Sequence, residues 1–260
     1  MLPAKRLNDI KQFLIVNKHA DVSQLAEMLD VTEVTIRKDL EKLESEGFLS
    51  RTHGGAILNE TSQPSGSLLD FLQSDVSDEK LMNIAQIASS FINDNDTVFL
   101  SAGVTSRYFC HFLSEKKNVS VITNDLLVAL SLARKCPNIN TIILGGPIGS
   151  GNLQVSGFSV LNSLRKYYFD ESFIDVEGIT LSRGYSVSSL EKTYVIQSVM
   201  ENCKQCFAMS PYTNFNHESN FSIGNIKMFN SVITNEHVDK VFKEFFFKNS
   251  IRLYATMNAT

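Results

Sequence analysis

The chain has 260 residues, of which 43% are hydrophobic and 20% are charged, and these values exclude a disordered or fibrous protein. Its net charge of −4 gives no overall basic character, so a nucleic-acid partner has to be argued from local features. Four cysteines suit a reducing cytosol, and neither a secretion signal nor an apolar run of roughly 18 residues is present, so we expect a cytoplasmic protein without a membrane partner.

Three helix-length apolar patterns occupy the first 45 residues. They comprise Leu7, Ile10 and Leu14, then Val22, Leu25, Ala26 and Leu29, and then Ile36, Leu40 and Leu43. Thr32 is placed to cap the third helix and Gly47 to end it. Residues 48–58 then read FLSRTHGGAIL, which predicts two short strands around a Gly-Gly turn. Three compact helices followed by a hairpin predict a winged helix-turn-helix module over residues 1–58.

The third helix carries the physical case for binding DNA. With its apolar residues facing inward, a rotation of 100° per residue places Thr35, Lys38 and Lys42 together on the outward face, which fits a major groove about 12 Å wide. Arg37 projects from the other flank of the helix, where it suits a phosphate oxygen of the DNA. The wing places Arg51 and His53 near the DNA backbone or the minor groove. The candidate DNA-binding residues are Thr32, Thr35, Arg37, Lys38, Lys42, Arg51 and His53.

A second interpretation of this module stays open on the residues alone. Residues 1–58 contain eight cations and nine anions, so the module is not basic. Arg37 with Glu41, and Lys42 with Glu46, have the i,i+4 spacing of surface ion pairs of small value. A helical interaction module is therefore the alternative to a DNA-binding one.

The same residues resemble a known family. VSQLAEMLDVTEVTIRKDLEKL (22–43), followed by RTHGGA (51–56), is similar to the N-terminal signature of DeoR-family bacterial transcriptional regulators, V-S-x-x-T-I-R-R-D-L with an R-x-H-G-G-A wing. This sequence departs from that signature at Thr32, where the family has Ser, and at Lys38, where it has Arg. Lysine lacks the planar fork that binds guanine in a bidentate way, so the operator preference is expected to differ. The resemblance favours double-stranded operator DNA as the partner.

The stretch from 59 to 77 is predicted to be a linker, and a different pattern begins at Asp78. Short β-runs alternate there with helix-length stretches, which predicts an α/β fold, a Rossmann-like parallel sheet with helices on both faces. The predicted strands are 97–101, 119–123, 141–144, 171–176, 205–209, 231–234 and 251–255. The predicted helices include 78–92, one after Ser106, one after Asn124, 188–201 and 237–246.

Small and polar residues follow several of these strands, at the edge where ligands bind in such sheets. Small and polar residues also occur in such turns for backbone geometry alone, but several such turns at successive strand ends predict a pocket. A helix that starts near Thr105 would direct its N-terminal N–H groups at this pocket, which favours an anion. This half also resembles the DeoR family, in its sugar-phosphate-sensing domain, which is related in fold to ribose-5-phosphate isomerase and CoA transferases. The resemblance implies a phosphorylated sugar as effector, with its phosphate near residues 103–106. The candidate effector-binding residues are Gly103, Thr105, Ser106, Thr123, Asn124, Gly145, Gly146, Gly178 and Glu191.

This half departs from the family pattern in its later part. Where the family has an A-D-x-S-K-F-G run, residues 208–215 read AMSPYTNF, so the acidic residue and the lysine are both missing. Asn235 stands where the family commonly has Asp, and Val104 replaces a usual Thr. The effector phosphate is therefore expected to depend on backbone N–H groups and hydroxyls.

Other candidate chemistry is weak. Cys203 and Cys206 form a lone C-x-x-C without the further ligands that zinc needs, and no histidine spacing indicates a metal site or a catalytic triad. We expect a non-enzymatic repressor of a carbohydrate-utilisation operon, without a cofactor, that forms a homo-oligomer through residues 78–260. The alternatives are a sugar-phosphate isomerase-like enzyme with Glu191 as its base, and a regulator whose C-terminal domain only oligomerises.

Overall fold

The computed structural model describes residues 3–17, 19–45, 48–52, 54–58, 78–149, 153–235 and 237–255. The chain divides into two compact units, Met1–Ser74 and Asp75–Thr260. The predicted linker, the predicted helix end at Gly47 and the wing residue His53 lie outside the described residues.

The first unit is a winged helix-turn-helix, as predicted. Its elements are α1 (Pro3–Asn17), β1 (His19–Asp21), α2 (Val22–Leu29), α3 (Glu33–Ser45), β2 (Leu49–Arg51) and β3 (Gly55–Leu58). The three strands form an antiparallel sheet in the order β1-β3-β2. The sequence did not predict β1, because three residues are too few to display a strand's alternation.

Burial of one face of each helix holds this unit together. Ile10 of α1, Leu25 of α2 and Ile36 of α3 are fully buried in one cluster, as their spacing predicts. Asp30 ends α2 in the left-handed region at φ +50°, which sets the short turn into α3. The Thr35 backbone N–H donates to Thr32 Oγ1 at 3.4 Å, so Thr32 caps α3 as predicted.

The second unit is built on a seven-stranded parallel sheet in the order β13-β12-β10-β7-β4-β5-β6. Its strands are β4 (Thr97–Leu100), β5 (Ser120–Thr123), β6 (Asn140–Ile143), β7 (Phe169–Asp175), β10 (Cys203–Met209), β12 (Ser231–Ile233) and β13 (Arg252–Tyr254). Its helices are α4 (Glu79–Ser89), α5 (Leu126–Lys135), α6 (Phe158–Leu164), α7 (Leu190–Met200) and α8 (Lys240–Lys248), with 3₁₀ helices at Thr105–His111 and Tyr212–Asn214.

Each face of this sheet is covered by helices, which confirms the predicted α/β class. One cluster joins Val98 and Val121 to α4, the first 3₁₀ helix and α5. The other joins Phe99 and Ile122 to α6, α7 and α8. Successive residues of a strand point to opposite faces of the sheet, so a sheet that is buried on both faces needs apolar residues at consecutive positions. Val98 with Phe99 and Val121 with Ile122 meet this requirement.

Besides the short 3₁₀ helix at Tyr212–Asn214, two features of this unit were not predicted. A three-stranded antiparallel sheet is formed by β8 (Gly178–Thr180), β9 (Gly184–Val187) and β11 (Phe221–Gly224). The seven-residue helix α6 is the other. The segment after the first strand of the parallel sheet is a 3₁₀ helix, so the helix predicted there is tighter than an α-helix.

Candidate functional sites

The outward face of α3 is as the sequence predicts. Lys38 and Lys42 are exposed, whereas Ile36, Leu40 and Leu43 are buried on the opposite side. Thr35 is half-buried, and its hydroxyl lies 3.0 Å from that of Thr32. Two cations and a hydroxyl therefore share one accessible face of a helix, which is the arrangement that direct readout of base edges uses.

A partly buried ion pair anchors this helix to the rest of the unit. Arg6 of α1 donates from Nε to Asp39 Oδ2 at 2.5 Å and from Nη2 to Oδ1 at 3.3 Å. The hydrogen bond to Asp39 raises the pKa of the Arg6 guanidinium. Asp39 is buried in the middle of α3, one residue beyond the exposed Lys38, so the pair fixes the rotation of the helix about its axis.

The two arginines assigned to the DNA backbone each pair with a carboxylate. Arg37 Nη2 donates to Glu33 Oε2 at 3.0 Å. The possible pair of Arg37 with Glu41 is therefore wrong, because the partner lies one turn before Arg37 and not one turn after it. Arg51 Nε donates to Glu44 Oε2 at 2.7 Å, and the Arg51 backbone N–H donates to Glu44 Oε1 at 3.0 Å. Both arginines line a groove of about 380 Å³ between α3 and the wing.

In the second unit, the turn after β4 already holds a carboxylate. Asp175, the last residue of β7, accepts at Oδ2 from the Ser106 backbone N–H at 2.9 Å and from the Ser106 hydroxyl at 2.6 Å. A β-carbon at residue 103 would overlap with the Asp175 side chain, so only glycine fits there. Burial raises the pKa of Asp175 even though Ser106 and Thr105 donate hydrogen bonds to it.

A charged pair lies at the same edge of the sheet. Lys192 of α7, whose side chain is 14% exposed, donates from Nζ to Glu177 Oε1. Burial opposes ionisation of Glu177, but hydrogen bonds from Lys192 and Ser188 hold its pKa below the ordinary value. Asp175, Glu177 and Lys192 are absent from the effector-binding residues predicted from the sequence, although each stands within three residues of Gly178 or Glu191.

The other predicted effector residues lie in different environments. Thr123 and Asn124 are buried and bonded internally, since Thr123 Oγ1 accepts from the Asp125 backbone N–H and Asn124 Oδ1 accepts from the Ala102 backbone N–H at 3.2 Å. The second contact joins the turns after β4 and β5, which are adjacent parallel strands. Gly145, Gly146 and Glu191 are exposed, and Gly178 packs closely against Ser186 and the carbonyl of His217.

The C-x-x-C pair lies at the opposite, amino-terminal edge of the sheet. Cys203 and Cys206 line a second groove of about 520 Å³. The Cys203 thiol donates to the carbonyl of Gln205 at 3.1 Å, and the interaction of the two neighbouring thiols lowers the pKa of Cys203 and raises that of Cys206. Nearby, burial and the charge of Asp96 raise the pKa of Glu171 to about 8. Within the part of the chain that the structure describes, no group of three or more His, Cys, Asp or Glu side chains is placed to hold a metal ion.

Two family models match this chain. Residues 6–62 match the DeoR-like helix-turn-helix domain, and residues 76–236 match the DeoR C terminal sensor domain. The chain belongs to the DeoR family. In this DeoR-family chain the helix-turn-helix unit comes first and the sensor unit second.

Individual relatives agree with this assignment. The uncharacterized HTH-type transcriptional regulator YulB of Bacillus subtilis is 30% identical over 92% of this chain and 91% of its own length. The lactose phosphotransferase system repressor of Lactococcus lactis is 29% identical over 90% of this chain and 91% of its own. Among solved structures, ribose 5-phosphate isomerase A of Methanocaldococcus jannaschii aligns with a TM-score of 0.37 and 13% identity, over 52% of this chain and 53% of that one.

Among the residues that the structure describes, no helix is long and apolar enough to span a membrane.

Proposed function

We propose that this protein is a transcriptional repressor whose α3 reads an operator in the major groove. Thr35 and Lys38 contact base edges, while Arg37, Lys42 and Arg51 contact the phosphate backbone. The observation that carries the proposal is the exposed face of α3, held in rotation by the Arg6–Asp39 pair one residue from Lys38. Arg37 is paired with the exposed carboxylate of Glu33, which a phosphate can replace at small cost because surface ion pairs are weak.

The sensor unit is proposed to bind a phosphorylated sugar at the carboxyl edge of its parallel sheet. The relative from Lactococcus lactis is named as the repressor of a lactose phosphotransferase system, which supports an effector of this class. The edge offers Lys192 as a cation, and Ser106 as a donor of two hydrogen bonds. Because Asp175 accepts both bonds from Ser106, a phosphate reaches them only when this carboxylate is displaced or protonated.

Operator release by sugar phosphates tests this function. An operator selected by the protein from a random duplex pool should bind more weakly when the cognate sugar phosphate is added. The same compound should raise the melting temperature, since a ligand at 100 times its Kd stabilises the folded state by roughly 2.7 kcal/mol. A panel of sugar phosphates that changes neither operator affinity nor melting temperature would leave a sensor domain that only oligomerises.

The named relatives are transcriptional regulators, so we propose that the sensor unit does not turn over its ligand. An isomerase-like reaction needs a positioned base, and Glu191, the candidate base, is exposed in the first turn of α7. Incubating each sugar phosphate with the protein and analysing the products tests this point, since any isomerised product would support the enzyme.

We further propose a symmetric homo-oligomer joined through the sensor unit. One short recognition helix contacts too few base pairs for operator-level specificity, so two-fold symmetry should demand half-sites separated by whole helical turns, roughly 10 base pairs or multiples. Light scattering at micromolar concentration should therefore give a mass above one chain. A monomer that binds a single half-site with full affinity would contradict this expectation.

A further inference from the structure

Glu44 joins the recognition helix to the wing through two hydrogen bonds. It lies in the last turn of α3, and its carboxylate accepts from the backbone N–H and the side-chain Nε of Arg51 on β2. These bonds, led by the one from the Arg51 backbone, lower the pKa of Glu44, so the carboxylate is ionised at neutral pH. One side chain therefore fixes both the start of the wing and the direction of the Arg51 side chain.

The position of this contact is what gives it a bearing on DNA. Glu44, Arg51 and Arg37 line the same groove between α3 and the wing. The Glu44 and Arg51 side chains are 39% and 43% exposed, so Arg51 is held in place at the surface. A long cationic side chain that is already oriented loses less rotamer freedom when it binds a phosphate.

Simple electrostatics predicts the opposite effect for the same residue. An exposed carboxylate on the DNA-facing unit repels phosphates, so its removal should strengthen binding if charge were its only influence. The sign of the change on removing Glu44 thus separates a positioning role from a mere charge effect.

We infer that Glu44 is a positioning residue for operator binding, which holds Arg51 of the wing in the orientation that contacts the DNA backbone. This inference rests on the proposed contact of Arg51 with operator phosphates. It assigns to a carboxylate a favourable effect on binding a polyanion.

The experiment compares variants of the full chain on the operator selected from a random duplex pool and on a random-sequence duplex of equal length. Glu44→Ala should weaken operator binding about threefold to tenfold. Glu41→Ala removes an exposed carboxylate one turn earlier on the same helix and should leave affinity unchanged or raise it. Glu44→Gln, which keeps one acceptor oxygen, should recover part of the loss.

A double-mutant cycle then tests whether Glu44 acts through Arg51. Arg51→Ala alone should weaken binding to both duplexes, and adding Glu44→Ala should cause no further loss. The inference would be overturned if the Glu44→Ala protein bound the operator as tightly as the unaltered protein. It would also be overturned if Glu44→Ala reduced operator affinity by the same factor in the Arg51→Ala protein as in the unaltered protein. An Arg51→Ala protein with unchanged affinity would instead refute the proposed backbone contact itself. Melting temperatures of all variants identify misfolding, and Glu44→Gln carries the comparison if Glu44→Ala does not fold.

Discussion

Asp175→Asn should increase the affinity of the sensor unit for an anionic sugar at least about tenfold. Its carboxylate takes both hydrogen bonds that Ser106 can offer an effector phosphate, and it repels a phosphate placed there. At about 4 Å and an effective dielectric constant near 20, two unit charges repel by about 4 kcal/mol, so even a partly screened carboxylate costs more than a factor of ten. Isothermal titration with the cognate sugar phosphate measures the change.

Asp170→Asn is the matched control for this substitution. Asp170 lies near the other end of the same strand, where it pairs with Lys204, so its replacement should leave effector affinity unchanged. Weaker binding by Asp175→Asn would mean that the carboxylate contributes to recognition, for instance of sugar hydroxyls. Unchanged binding would mean that the turn after β4 does not hold the phosphate.

The same variant predicts a change in the pH dependence of stability. The pKa of Asp175 is higher in the folded state than in the unfolded chain. Ionisation of Asp175 therefore lowers the free energy of unfolding as the pH rises from the pKa of the unfolded chain through the pKa of the folded state. Asp175→Asn should remove that part of the loss. Thermal unfolding of both proteins across this range checks the sign, and a parallel pH profile for the two would contradict it.

The elements that the sequence predicts are those in which the spacing of apolar residues or the alternation of strands with helices can be recognised. Long elements such as α1 and β7 contain enough apolar residues to establish their type, although β7 begins two residues before the predicted strand 171–176. The strands that alternate with helices imply the parallel sheet. Strands β1 and β8 have three residues each and show no repeat of their own, and they do not alternate with helices as the equally short β12 and β13 do. They form because neighbouring strands offer hydrogen-bond partners, as β3 does for His19–Asp21, and this depends on tertiary structure.

The candidate sites divide along the same line. The outward face of α3 follows from helical rotation alone, so Lys38 and Lys42 were assigned to it from spacing. Ion pairs between distant segments, such as Arg6 with Asp39, follow from packing and leave no sequence pattern. The contact of Asp175 with Ser106 joins residues 69 positions apart, and no local rule indicates that a carboxylate fills the turn. The predicted anion site at this turn therefore stays a prediction, and the Asp175 carboxylate that occupies the turn could not be foreseen from spacing.

Lys38→Ala should weaken operator binding by on the order of 1–3 kcal/mol and relax the base preference at one position of the half-site. Lys38 is exposed beside the buried Asp39, so its side chain leaves the helix toward solvent on the face that carries Thr35. The Arg6–Asp39 pair does not involve it, and the substitution should therefore leave the melting temperature unchanged within error. Competition assays with operators altered one base pair at a time measure the loss of preference.

Lys42→Ala is the matched control, because Lys42 is the same residue type one turn later on the same face. As a backbone contact it should weaken all duplexes alike and lower the slope of log K against log salt by roughly one. A base contact and a phosphate contact thus differ in the pattern of the loss, whatever its size. If Lys38→Ala kept the base preference at every position while Lys42→Ala lost it at one, the assignment of the two lysines would have to be exchanged. If neither changed affinity, α3 would not be the helix that enters the groove.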